Sequence, residues 1–127
     1  MLAALNIRAV AMGLATAGLT ATIVGLAVGG ALAVIGVEAG PDIGLLVGIV
    51  VGMAGGGWVA GRTSVHSHRF HGSVAGLLLS GILIFLASTS SADATIWNVL
   101  LLALVGIATG GFGGWMGGRR RARSDLK

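Results

Sequence analysis

His66-x-His68-x-x-His71 is the cluster in this chain with the spacing of metal ligands. Two imidazoles two residues apart suit an extended segment, and a third would complete an open site of the kind zinc takes in hydrolytic enzymes. The neighbouring residues argue against that chemistry. No Cys, Asp or Glu stands among the histidines, and Arg69 in their midst would repel a cation. The plainer reading is a loop at a membrane interface whose imidazoles meet lipid phosphates. His66, His68 and His71 therefore stay as metal candidates only, and the expectation is no metal and no cofactor.

The other residues capable of chemistry fare worse. Ionisable groups deep inside a membrane are costly and mark function, yet none falls well inside an apolar run. Arg8, Arg62, Arg69 and Arg119 sit at the ends of runs, where they can snorkel, and Glu38, Asp42 and Asp93 lie between runs. That speaks against proton- or sodium-coupled transport and against an aspartyl intramembrane protease. A Ser–His pair is no better placed, since Ser80 is in mid-run and the histidines are confined to one loop. Gly52-x-x-Gly55-Gly56-Gly57 lacks the preceding strand and the following Lys-Ser/Thr of a phosphate loop. No catalytic residue is expected, and the chain reads as a non-enzyme.

One basic cluster, Arg119-Arg120-Arg121-x-Arg123, has the composition to hold anionic lipid headgroups, at about 1 kcal/mol per base near the surface. It serves equally as a topology anchor. Nucleic acid is not an expected partner, because no folded domain presents these arginines.

The elements that position these residues are membrane helices. Of 127 residues, 55% are hydrophobic and only 9% charged, with a mean hydropathy of +0.98. Soluble domains carry about 25% charged residues, so this surface is not made for water. Apolar runs cover 9–35, 43–61, 72–87 and 95–118, and a bilayer core needs ~20 helical residues. The third is short unless His71 and Ser88–Thr89 reach the interfaces. The first far exceeds the 7–15 residues of a signal-peptide core and reads as a retained helix. Four helices result, at about 9–35, 43–61, 71–88 and 95–117, followed by a basic tail over 119–127. Alternating ~10-residue barrel strands are absent from the pattern.

Each helix carries small residues four apart. The first has Gly13, Ala17, Ala21, Gly25, Gly29 and Ala33, and the second Gly44, Gly48, Gly52, Gly56 and Ala60. Gly72, Gly76 and Ser80 continue the pattern in the third, and Gly106, Gly110, Gly114 and Gly118 in the fourth. Lipid provides no hydrophobic drive for helix association, so such grooves work by letting backbones approach. Four ladders exceed what one small bundle requires, so at least one is expected to face another protein.

Gly56-Gly57-Trp58-Val59-Ala60-Gly61-Arg62 returns 57 residues later as Gly113-Gly114-Trp115-Met116-Gly117-Gly118-Arg119. With Ala17-Gly18-Leu19 matching Ala75-Gly76-Leu77, it predicts two parallel-repeat helical hairpins. All eight Lys and Arg fall before the first helix, between the second and third, or after the fourth. The positive-inside rule then puts both termini in the cytoplasm of a multi-pass protein of the cell membrane. Trp58 and Trp115, with Arg62 and Arg119, anchor the inner interface, and Trp97 the outer one.

Gly56, Gly57, Ala60, Gly61 and Arg62, then His71, Gly72 and Gly76, give a pattern that resembles uncharacterised small four-helix, glycine-rich integral membrane proteins of bacteria and archaea. The resemblance covers roughly 44–87 and implies the fold, but no activity. The sequence therefore predicts an all-α four-transmembrane-helix bundle that packs through its small-residue faces into a homo-oligomer or a larger membrane complex. An alternative is a passive channel or small-solute transporter formed by an oligomer, its path lined by Thr16, Thr20 and Ser80. A third is a regulatory partner whose tail and histidine loop dock a cytoplasmic protein.

Overall fold

The computed structural model describes residues 6–64, 66–89 and 95–124, with side chains as far as Arg119. It is all-helical there: α1 (Ile7–Val34), α2 (Gly40–Thr63), α3 (His68–Thr89) and α4 (Ile96–Ser124). Each helix has an 18-residue stretch of mean hydropathy between 1.8 and 2.0, and the shortest, α3, has 22 residues. All four are long and apolar enough to cross a membrane.

Local chemistry sets the ends. Asn6 caps α1, its side-chain oxygen accepting from the Ala9 N–H at 3.2 Å, which meets one orphan donor of the first turn. Gly36 closes the helix with a φ of +83°. There the Gly36 N–H donates to Ala33 O and the Val37 N–H to Leu32 O, at 3.1 and 3.0 Å. This is the glycine-based C-cap that only a residue without Cβ adopts at low cost. Pro41 stands in the first turn of α2, where its missing N–H is harmless.

The first two loops are shorter than the sequence expectation. Asp42 belongs to the first turn of α2 rather than to a loop. Arg62 lies in the last turn of α2, while His68, Arg69 and His71 belong to α3, so the expected 62–71 loop shrinks to a short link. α4 continues through the arginines to Ser124, where a tail from 119 was expected. Nothing in 119–124 breaks a helix, and basic residues in its last turns favour it through the helix dipole. Asp93, with the rest of 90–94, and 125–127 lie outside the described residues.

Packing is backbone against backbone. A Cβ built on Gly52 would stand 2.6 Å from Ala17 O and 2.7 Å from the Ala21 Cβ; one on Gly48 would be 2.8 Å from the Gly25 Cα. Gly44 faces Gly29 and Gly25, and Gly56 faces Gly13 and Ala17. The ladders of α1 and α2 thus mesh antiparallel along their length. Gly72 and Gly76 mesh likewise with Gly106, Gly110 and Gly114 between α3 and α4.

A second set of glycines joins the hairpins. Gly57 abuts Gly110, Gly61 abuts Gly114, Gly113 meets Ala54 and Trp58, and Gly117 meets Trp58 and Arg62. The two copies of the repeated heptad therefore face each other across α2 and α4. Among the described residues each of the four ladders has contacts within the chain. Among the described residues α2 touches the three other helices, whereas α1 and α4 do not meet.

Little side-chain volume remains at the centre. Met53 is fully buried against Ala17 and Leu79, with Leu14, Ile49, Leu83 and Leu102 around them. Large apolar residues such as Leu26, Leu45, Phe85 and Leu104 point outward.

This packing predicts a sharp contrast between two alanines. Gly52→Ala forces its methyl onto a backbone carbonyl and should cost about 1–3 kcal/mol. Gly18→Ala meets nothing within 4 Å and should change stability by no more than about 1 kcal/mol. Unfolding in mixed detergent micelles separates the two.

Candidate functional site

Asn6, Ser64, His68, His71 and four arginines gather at one end of the bundle, where α1 and α3 begin and α2 and α4 finish. Arg8, Arg62, Arg69 and Arg119 all belong to this end, whereas Glu38 and Asp42 belong to the opposite one.

His71 is 1% exposed, which corrects the expectation of an imidazole meeting lipid phosphates. Its Nε2 accepts the backbone N–H of Asn6 at 3.0 Å, and its Nδ1 donates to Ser67 O at 3.1 Å. Both contacts require the neutral tautomer with the proton on Nδ1. The single lone pair is thereby spent on the start of α1, and none remains for a metal. The physical reason for the burial is that Asn6, at the helix start, has an N–H with no intrahelical partner.

His68 serves the end of α2 instead. Its Nδ1 donates to Gly61 O at 2.7 Å, and the Ser64 hydroxyl donates to the same carbonyl at 2.9 Å. The Thr63 hydroxyl donates to Val59 O at 2.8 Å and the Ser64 N–H to Ala60 O at 3.1 Å. The last carbonyls of α2 are thus met one after another. The His68 ring also lies where a Gly118 side chain would be, which explains glycine there. His66 is exposed and apart. The three histidines do not converge, and among the described residues no group of three His, Cys, Asp or Glu could hold a metal ion.

The heptad's Trp and Arg stack on each other. The Arg62 guanidinium lies 5.3 Å from the Trp58 ring centroid, and that of Arg119 lies 3.7 Å from the Trp115 centroid. Arg69 also reaches Trp115, at 5.2 Å. These i, i+4 pairs are cation–π contacts, built by the four-residue spacing within the repeat. Trp97 is 69% exposed at the start of α4, at the acidic end.

Deeper in, Ser80 is fully buried and donates to Gly76 O and Leu102 O, both at 3.0 Å. Thr16 donates to Met12 O of its own helix at 2.8 Å, and Thr20 lies beside Gly55. Thr16 thus bonds within α1, Thr20 faces α2, and Ser80 joins α3 to α4. Asn6, Arg69 and Ser73 make contacts that the sequence does not announce. Their partners are 65, 46 and 34 residues away, and no local spacing announces such contacts.

The candidate packing residues fall as follows. Gly25, Gly29, Gly44, Gly48, Gly52 and Gly56 lie in the α1–α2 contact, and Gly106, Gly110 and Gly114 in the α3–α4 contact. Gly110 and Gly114 also meet α2. Arg120, Arg121 and Arg123 belong to the last turns of α4, with side chains outside the described residues. Comparisons with family models, with curated proteins and with solved structures found no match. The class rests on the fold: an all-helical bundle of four helices, each long and apolar enough to span a membrane.

The contact between His71 and Asn6 predicts that His71→Phe leaves a part-buried N–H without its partner. The loss should be about 0.5–1.5 kcal/mol, read as faster hydrogen exchange of the Asn6–Val10 amides with the rest of α1 unchanged.

Proposed function

We propose that the chain is a non-enzymatic structural or accessory subunit of the cytoplasmic membrane. It crosses the bilayer four times with both termini inside and assembles with copies of itself or with a larger membrane complex. The two parallel hairpins then place the arginine end at the inner interface, where the positive-inside rule wants it. Trp58 and Trp115 fall at that interface and Trp97 at the other. Among the described residues the buried polar side chains Ser64, His71 and Ser80 each bind backbone groups of the same chain, which supports a structural role.

The observation that carries the assembly reading is the outward face of α1. Only 11% of its apolar stretch is buried, against 22–39% in the other helices. Gly18, Thr22, Leu26 and Gly30 follow one another at four-residue spacing on that helix, and nothing stands within 4 Å of a Cβ on Gly18 or Gly30. Thr22, Leu26 and Gly30 border a shallow, apolar groove of about 460 Å³ shared with Gly25, Gly29 and Pro41. A groove of small residues on an otherwise bare helix suits a second helix that needs close backbone approach.

Gly18→Leu and Gly30→Leu should insert and fold as the parent does, yet lose assembly on native gels in mild detergent. Gly81→Leu, which also meets open space but on α3, should assemble normally. Parental assembly of both α1 variants would end this reading. Gly48→Leu is no test, since its side chain would collide with Ala21 and Gly25 of the same chain.

The orientation has its own check, helped by the absence of native cysteine. In intact cells an impermeant maleimide should label Glu38→Cys and spare His66→Cys. The reverse pattern would invert the topology.

A further inference from the structure

Arg69 and Arg119 come from different helices, yet both guanidiniums lie against one indole, at 5.2 and 3.7 Å from the Trp115 centroid. Stacking on the ring accounts for where they sit and brings two cations to one indole. Among the described residues the acids, Glu38 and Asp42, are at the far end of the bundle. The N-terminus of α3, at which Arg69 is the second residue, adds the positive end of a helix dipole.

Between Arg69 and Trp115 lies a depression of about 260 Å³, lined by these two with Ser73, Gly111 and Phe112, and Arg119 stacks on the same indole. Gly111 keeps it open: a Cβ there would be 2.6 Å from the Ser73 Oγ. The Ser73 hydroxyl is turned into the bundle, donating to Ile107 O at 3.1 Å. Phe112 is 58% exposed and tilts against Trp115, with ring centroids 5.8 Å apart. The rim is therefore cationic and aromatic, and the wall leading along α4 is apolar.

We propose that Arg69, Arg119 and Trp115 form a binding site for an anionic phospholipid. The phosphodiester meets the Arg69 guanidinium at the depression through charge-assisted hydrogen bonds, and Arg119 adds a second positive charge at the same indole. The first part of an acyl chain lies over Phe112 and toward Ile107. Charge complementarity selects an anion, and the apolar wall selects one that carries a chain rather than a soluble phosphate. The site rests on the membrane orientation proposed above and is independent of the assembly through α1.

The test is native mass spectrometry of the full chain in mild detergent, supplied with equal phosphatidylglycerol and phosphatidylcholine. Phosphatidylglycerol should be retained preferentially. Arg69→Gln and Arg119→Gln should each weaken that retention about fivefold, and Trp115→Leu should weaken it as well. Arg8→Gln, at the same end but on α1, should leave it unchanged. Equal retention of the two lipids, an equal loss in Arg8→Gln, or displacement by millimolar inorganic phosphate would each overturn the proposal. Oligomer masses in the same spectra report on assembly separately, and flotation of the chain with liposomes reports on membrane insertion. A failed lipid site is thus distinguished from a failed membrane reading.

Discussion

Everything in this bundle depends on one constraint: helices in an apolar solvent hold together only as well as their surfaces touch. Water would drive large side chains inward; lipid does not. Here the response is to remove side chains from the contacts altogether. Along α2 the direction in which a Cβ would project from Gly52 or Gly48 leads to a carbonyl oxygen of α1. What points there instead is a Cα–H, and such Cα–H···O contacts contribute about 0.5–1 kcal/mol each. Glycine's poor helix propensity in water matters less where no solvent competes for the backbone.

The polar groups do a different job. Glycine contacts fix how close two helices come but specify register weakly, since one small residue resembles the next. Ser80 reaches from α3 to Leu102 O on α4, and Ser73 to Ile107 O. His71 fastens the start of α1 to α3, and His68 ties the start of α3 to the end of α2. Each is a single directional bond at a chosen height. Together they supply the register that the small-residue faces leave open.

Much of this was readable in advance, and the reasons differ by feature. The four helices follow from uninterrupted apolar runs, and the ladders from spacing alone. Which ladder meets which was less legible, because pairing depends on loop length and on the second glycine face of α2. Gly57 and Gly61 looked like parts of an anchoring motif and turn out to be the contact with α4. The histidine segment looked like a polar loop by composition. It is mostly helix, because nothing from His68 onward breaks one and its imidazoles bind backbone groups that hydropathy does not register. Arg69 at Trp115 joins residues 46 apart, and only the fold brings them together.

The short first turn between α1 and α2 has a consequence in time rather than in space. Every small-residue partner that α1 requires on α2 lies within the first 63 residues. At a synthesis rate of roughly 5–20 residues per second, that hairpin is complete seconds before α4 leaves the ribosome. The chain is therefore suited to enter its bilayer as two successive pairs. The meeting of Gly57 and Gly61 with Gly110 and Gly114 would be the closing event of its biogenesis.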